Sequence, residues 1–440
     1  MTADQQTLAG RAHYWIGALG LVILALGVGP SSAAISIGYA FLLLFLMLSG
    51  PRLVTLWQAG WESKVFVLLC VYVPVQGLAL AWLRPELAFS SNDVQHVLRT
   101  VALGTIAVGW AVYATRLSPR MIAVFAAAGF ALATLEAFLE HGPALFEIRR
   151  MHYLRSPNEV GLFGGTIALG AFFLGGSSVL SYVRDQAWWR AGVIGGIALL
   201  CLIAGLWLWV QSGSRSTWVG MSAAVLVMTT LALAALVANR QHVKQILLGV
   251  TAAAVVLGSV ATYFHDDLAS RMDRELPTLA VIASGDFETL LEGRGEGHNP
   301  RFKIWGVAID EIGERPWVGL GSGFVEAGFA DAEDRGVLRG GRDHYHNLYL
   351  HLAVFIGGPA VLLWVVALAA MAIRGCRPLD TSAPDVGLRW FLLAWLVFLA
   401  VTSLFQVRMH SAYGAAYFAL FSGLIFGLYL KQRNSGVARP

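Results

Sequence analysis

The chain has 440 residues, of which 57% are hydrophobic and 13% charged, with a mean hydropathy of +0.64. Soluble domains carry about 25% charged residues, so this composition excludes a soluble globular protein and points to a polytopic membrane protein. A formal net charge of +4 implies no nucleic-acid partner, and the Lys and Arg residues are better read as topology signals. The cysteines Cys70, Cys201 and Cys376 lie in or beside apolar runs, which implies neither a disulfide framework nor a Cys-based metal site.

Arg11 precedes an apolar run from Tyr14 to Gly29. With Ser31-Ser32-Ala33 behind it, this run has the outline of a secretory signal. A second apolar run begins at Ala33, however, and the pair reads as a helical hairpin. A helix needs about 20 apolar residues to cross the hydrocarbon core. On that measure spans are predicted near 14–29, 32–50, 65–83, 97–115, 119–139, 160–183, 191–211, 216–238, 245–264, 348–373, 388–406 and 411–430. These 12 spans put both termini on one side. With the N-terminus inside, the inner segments hold 15 Lys and Arg and the short outer segments 7. The positive-inside rule then makes both termini cytoplasmic and leaves the long loop outside, in a bacterium the periplasm. The expected organisation is membrane helices over 1–264, an external loop with amphipathic helices over 265–347, and membrane helices with a cytoplasmic tail over 348–440. No inverted repeat of the transporter kind is visible.

Polar sequence clusters at the outer ends of the spans. Arg149-Arg150 and Arg155-Ser156-Pro157-Asn158-Glu159 precede a helix start rich in glycine, at Gly161, Gly164 and Gly165. Such a start permits close helix packing, and Arg155 is a candidate phosphate ligand. Gln211-Ser212-Gly213-Ser214-Arg215-Ser216-Thr217 joins two spans. Its hydroxyls and guanidinium fit an oxyanion grip, set against plain snorkelling of Arg215.

The loop 265–347 carries 16 acidic and 9 basic residues, a net of −7. Within it Phe302, Ile304, Trp305, Ala308, Ile309 and Ile312 fall on one helical face, with Asp310, Glu311 and Glu314 outside the stripe. This predicts an amphipathic helix lying on the bilayer. Arg301 and Lys303 sit at its N-terminal end, where a cation opposes the helix dipole unless an anion is bound there. Arg315-Pro316-Trp317-Val318-Gly319-Leu320-Gly321-Ser322-Gly323-Phe324 reads as a tight turn, with a phosphate-holding nest as the alternative. It lacks the Lys-Ser/Thr ending of a P-loop. Asp343-His344-Tyr345-His346-Asn347 then leads into an apolar helix. Its histidines lack zinc-protease spacing, and neighbouring cations favour the neutral imidazole suited to base catalysis.

Taken in order, Ser214-Arg215-Ser216, Arg301 with Trp305, Pro316 with Gly319 and Gly321, and His346-Asn347 with Leu350 resemble the motifs of the O-antigen ligase/polymerase superfamily. The leucine of the last motif is met one position out of register. Twelve spans with one large loop between the ninth and tenth match the ligases. The resemblance implies an all-α, GT-C-like membrane enzyme that takes glycan from undecaprenyl diphosphate. It implies no ATP, cofactor or metal, and an acceptor hydroxyl on the lipid A core. Arg215 and Arg301 would grip the diphosphate, and His346 would serve the acceptor as base. Arg155, Ser214, Ser216, Lys303, Arg342 and Asn347 are the substrate-binding candidates. The residues themselves do not choose between His344 and His346 as base. A polymerase, a protein O-oligosaccharyltransferase and, in another class, a lipid-linked glycan flippase would use the same donor grip.

Overall fold

The computed structural model describes residues 8–83, 91–115, 117–142, 156–238, 301–321, 323–334, 344–376, 385–407 and 411–434, with isolated positions between 251 and 285. Helices α1 (Leu8–Gly27) and α2 (Ser32–Ser49) form the expected N-terminal hairpin. Ser31 caps α2, its side chain accepting from the Ala34 N–H at 3.2 Å. A short α3 (Val54–Gln58) leads into α4 (Trp61–Leu83). Next, α5 (Ser91–Leu98) passes through a π-helical turn into α6 (Gly104–Thr115), and α7 (Pro119–His141) follows. A second π-helical turn joins α8 (Pro157–Gly170) to α9 (Gly176–Arg184). The pair α10 (Trp188–Gln211) and α11 (Arg215–Ala238) flanks the Ser-Arg-Ser turn. Two loop helices, α12 (Arg301–Glu314) and α13 (Gly323–Asp334), precede α14 (Leu348–Ile356), α15 (Gly358–Cys376), α16 (Val386–Thr402) and α17 (Ala412–Asn434).

Among the described residues 9 helices are long and apolar enough to cross a membrane, joined by shorter apolar helices at Arg11–Gly27 and Val386–Thr402. No strand occurs among those residues. The chain is an all-α polytopic membrane protein. Each expected span except the ninth coincides with a described helix or helix pair; the ninth, near 245–264, falls outside the described residues save isolated positions.

One expected span is broken. The run predicted near 348–373 divides into α14 and α15 at Gly357, whose φ is +87°. The Trp317 carbonyl lies where a Cβ on Gly357 would stand, so this turn requires glycine. The Pro316-to-Gly321 segment fills the break. Leu320 and Gly321 donate their N–H groups to the Val354 and Phe355 carbonyls at 2.7 and 3.1 Å, and Gly358 donates to Pro316 O at 2.9 Å. From α4, Gln76 Nε2 donates to Phe355 O and Val318 O at 2.7 and 3.0 Å. Apolar composition over the run predicts depth in the membrane but not continuity, because a helix end costs nothing when other groups take its carbonyls.

The centre of the bundle is α17, buried from Gly414 to Leu430. It packs most extensively on α6. A Cβ on Gly109 would meet Phe426 at 2.6 Å and one on Gly423 would meet Val108 at 2.5 Å, the close approach that small residues permit between membrane helices. The spans alternate in direction. The ends of α4, α7, α10 and α16 therefore share one end of the bundle with the starts of α8, α11, α15 and α17. Exposed tryptophans mark both ends. Trp82 and Trp317 lie at this end and Trp15, Trp57, Trp61, Trp188 and Trp189 at the other, as aromatic belts do at two interfaces.

Candidate active site

Three helices begin around one cavity. Its lining is Pro157 and Asn158 from the first turn of α8, Gly213, Ser214, Arg215 and Ser216 from the start of α11, and Arg301 from the start of α12; its volume is about 310 Å³. Each helix start presents amide N–H groups that the helix itself does not use, with the positive end of the macrodipole behind them. Ser156 takes up one such group in α8, its Oγ accepting from the Glu159 N–H at 3.3 Å. Two guanidinium groups face the same space. The combination of helix ends and guanidinium fits a multiply charged oxyanion.

Hydrogen bonds fix the Ser-Arg-Ser turn from behind. Gly213 takes φ +59°, which turns the chain sharply between α10 and α11. Ser212 Oγ donates to Trp209 O at 2.6 Å and accepts from the Ser214 N–H at 3.2 Å. Thr217 Oγ1 donates to Ser214 O at 2.9 Å, and Trp209 Nε1 donates to Thr217 O at 3.1 Å. Ser214 Oγ donates to Asn158 Oδ1 at 2.6 Å, which joins the α8 start to the α11 start. The glycines expected to allow close packing here do so. A Cβ on Gly161 would meet Thr217 Oγ1 at 2.5 Å, and one on Gly164 would meet Trp209 N at 2.5 Å. Ser212, Ser214, Ser216 and Thr217 are all buried, while Arg215 is exposed on the cavity side.

The helix α12 carries Arg301 and buries only part of its expected apolar stripe. Its inner face is Ile304, Val307, Ala308 and Glu311, whereas Ile309 is exposed. Those apolar residues pack with Leu320, Phe329, Tyr345 and Val354 in a small core shared between the loop and α14. The helix thus packs on protein, and Glu311 turns inward because it has a partner: Tyr345 Oη donates to its Oε2. Tyr345 is fully buried and stacks on Phe329 with ring centroids 4.8 Å apart. Burial and then the Glu311 carboxylate push the Tyr345 phenol well above its ordinary value of 10.0, so it remains a donor.

On either side of Tyr345 stand the two histidines, with ring centroids 4.2 Å apart. His346 has a left-handed backbone, φ +52°. Such a conformation costs a non-glycine residue about 1–2 kcal/mol and is retained where the surroundings impose it. Asn347 caps α14, its Oδ1 accepting from the Tyr349 and Leu350 N–H groups at 3.0 and 3.2 Å. The Leu348 N–H donates to Ser403 O at 2.9 Å.

The expected site residues therefore separate into groups. Arg215, Arg301, Ser214 and Ser216 converge on one cavity. His346 is not among the residues lining that cavity, and neither are Asn347 and the half-buried Lys303. Arg155 and Arg342 lie outside the described residues. The tight-turn reading of Pro316 to Gly321 holds over the nest, because the amides of Gly319, Leu320 and Gly321 are all donated to carbonyls of the chain. Sequence motifs passed over Asn158 as a cavity residue and passed over Gln406 altogether. Gln406 donates from Nε2 to Ser214 Oγ at 3.4 Å and to Ser216 Oγ. Among the described residues no group of three His, Cys, Asp or Glu side chains is arranged to hold a metal ion.

No curated protein matches the chain. A family model described as O-antigen ligase matches residues 196–365. That segment runs from α10 to the start of α15 and contains Arg215, Arg301 and His346. With the order of motifs around those three residues, this match supports membership of the O-antigen ligase/polymerase family.

Proposed function

We propose that the chain is an inverting, metal-independent glycosyltransferase that moves O-antigen glycan from undecaprenyl diphosphate to a sugar hydroxyl of the lipid A core, on the periplasmic face of the inner membrane. The observation that carries this reading is the convergence of Arg215, Arg301 and three helix starts on one cavity. A diphosphate is the leaving group of such a donor, and its charge grows as the glycosidic bond breaks. Fixed guanidinium groups and helix ends are already oriented toward that charge, so no reorganisation is needed as it develops. They supply what a divalent cation supplies in other sugar transferases. The acceptor hydroxyl has a high pKa and must lose its proton as it attacks, and His346 takes that proton. In-line attack opposite the diphosphate inverts the anomeric carbon. The polymerase reading shares every donor contact and differs in the acceptor.

The test is transfer by the purified full-length chain in detergent, with undecaprenyl-diphosphate glycan, lipid A core and a chelator. The expected product is a ladder of high-mass lipid A that disappears in His346→Ala. Lengthening of the lipid-linked glycan in place of that ladder makes the chain a polymerase. Folded protein that yields neither product contradicts the reading.

A further inference from the structure

Gln406 follows α16 and lies outside the segment that the family model matches, 196–365. Its side chain is 2% exposed, and it reaches the back of the arginine-lined cavity. The direction of each hydrogen bond there matters. Ser214 Oγ gives its proton to Asn158 Oδ1 at 2.6 Å. With that proton committed, Ser216 is the donor in the 3.0 Å contact between the two serines. Gln406 Nε2, which can only donate, engages both hydroxyl oxygens as acceptors. The hydroxyl proton of Ser216 is therefore the movable one of the pair. It rests on Ser214 or turns into the cavity toward an anion.

The same stretch of chain reaches the histidine loop. Thr402 Oγ1 contacts Ser216 O at 3.4 Å, the Leu348 N–H donates to Ser403 O at 2.9 Å, and Tyr349 Oη donates to Ala400 O at 3.0 Å. Residues 400–406 thus bind the serine turn on one side and the segment just after His346 on the other.

We propose that Gln406 is a positioning residue for the anion cavity. By holding the Ser214 and Ser216 oxygens as acceptors it presents the Ser216 O–H to a phosphoryl oxygen. It also keeps the cavity in register with His346 through the 400–406 segment. The inference rests on the reading that this cavity holds the donor's diphosphate. It adds a neutral, buried donor that no motif marks. Glutamate at this position would keep the shape, replace the donor by an acceptor, and place a negative charge behind the site. A protonated glutamic acid would donate again.

Inorganic pyrophosphate binding to the full-length chain in detergent, measured by calorimetry at pH 7.5 and pH 5 with a melting curve for each variant, provides the test. Gln406→Glu is expected to bind at least about 10-fold more weakly than the parent at pH 7.5 and to recover most of that deficit at pH 5, each compared with the parent at the same pH. Gln406→Leu is expected to lose affinity equally at both pH values. Parent-like binding by Gln406→Glu at pH 7.5 overturns the proposal. So does a deficit that is the same at both pH values and accompanied by a lowered melting temperature, because that marks a packing role only. A parent chain that does not bind pyrophosphate removes the donor reading itself, and that result is distinguishable because it appears before any substitution.

Discussion

Arg215 and Arg301 are separated by 86 positions in the sequence and share one cavity wall. In the proposed reaction, removing either would leave a developing diphosphate charge without one of its fixed partners, a loss that costs about 100- to 1,000-fold in turnover at comparable oxyanion sites. Arg215→Ala and Arg301→Ala are each expected to lower glycan transfer at least about 100-fold without changing the melting temperature, as gel-resolved product against time would show. Arg301→Lys is expected to fail as well, because a point charge does not reproduce a guanidinium fork. His346→Ala should abolish transfer yet leave pyrophosphate binding intact, since His346 does not line the cavity; loss of pyrophosphate binding in that variant would contradict the separation of base from clamp. At this scale the sequence carried the arginines and serines through local motifs. Asn158 and Gln406 were illegible for a physical reason. Each acts through side-chain contacts to residues 56 or more positions away, and no local spacing records that.

Helix existence was legible in the apolar runs, because length in a bilayer is set by the thickness of the hydrocarbon. Two internal features were not. The break at Gly357 occurs inside a predominantly apolar run, and its satisfaction by Pro316, Leu320, Gly321 and Gln76 is a tertiary fact. Gly357→Ala meets a positive φ and the Trp317 carbonyl together. It should destabilise the chain by more than about 1 kcal/mol, read as a lower melting temperature in detergent, and an unchanged melting curve would contradict the account of this turn. The inner face of α12 was misassigned at Glu311, because an apolar stripe cannot reveal that a carboxylate has a buried donor. Tyr345→Phe removes that donor. The expected loss is about 1–3 kcal/mol from an acceptor left buried without it. The pH dependence has a definite sign. Folding raises the Tyr345 phenol above its ordinary 10.0, so its contribution is complete below that pH and declines as pH rises beyond it. The stability gap between parent and Tyr345→Phe should therefore narrow above pH 10.0.

Across the whole molecule, alternation of the spans brings the α8, α11 and α12 starts to one end of the bundle. The excess of Lys and Arg in segments at the other end predicts which end faces the cytoplasm. In a chain whose three cysteines are replaced by serine, a cysteine introduced at Gly142 should react with a membrane-impermeant maleimide in intact spheroplasts. One introduced at Gln186 should react only after permeabilisation. The reverse pattern would invert the topology and exclude a periplasmic site. Another physical feature separates a transferase from a flippase at this scale. The cations of the cavity gather at one end of the helices, whereas a flippase needs polar groups along its route through the membrane.

The most direct measurement is an electron cryomicroscopy structure of the His346→Ala variant with undecaprenyl-diphosphate glycan bound. Loss of the base leaves the donor uncleaved. The account predicts diphosphate density in the cavity lined by Asn158, Ser214 and Ser216, with both the Arg215 and Arg301 guanidinium groups within hydrogen-bonding distance of phosphoryl oxygens and the sugar directed toward position 346. Diphosphate bound elsewhere on the chain, with that cavity empty, would contradict it.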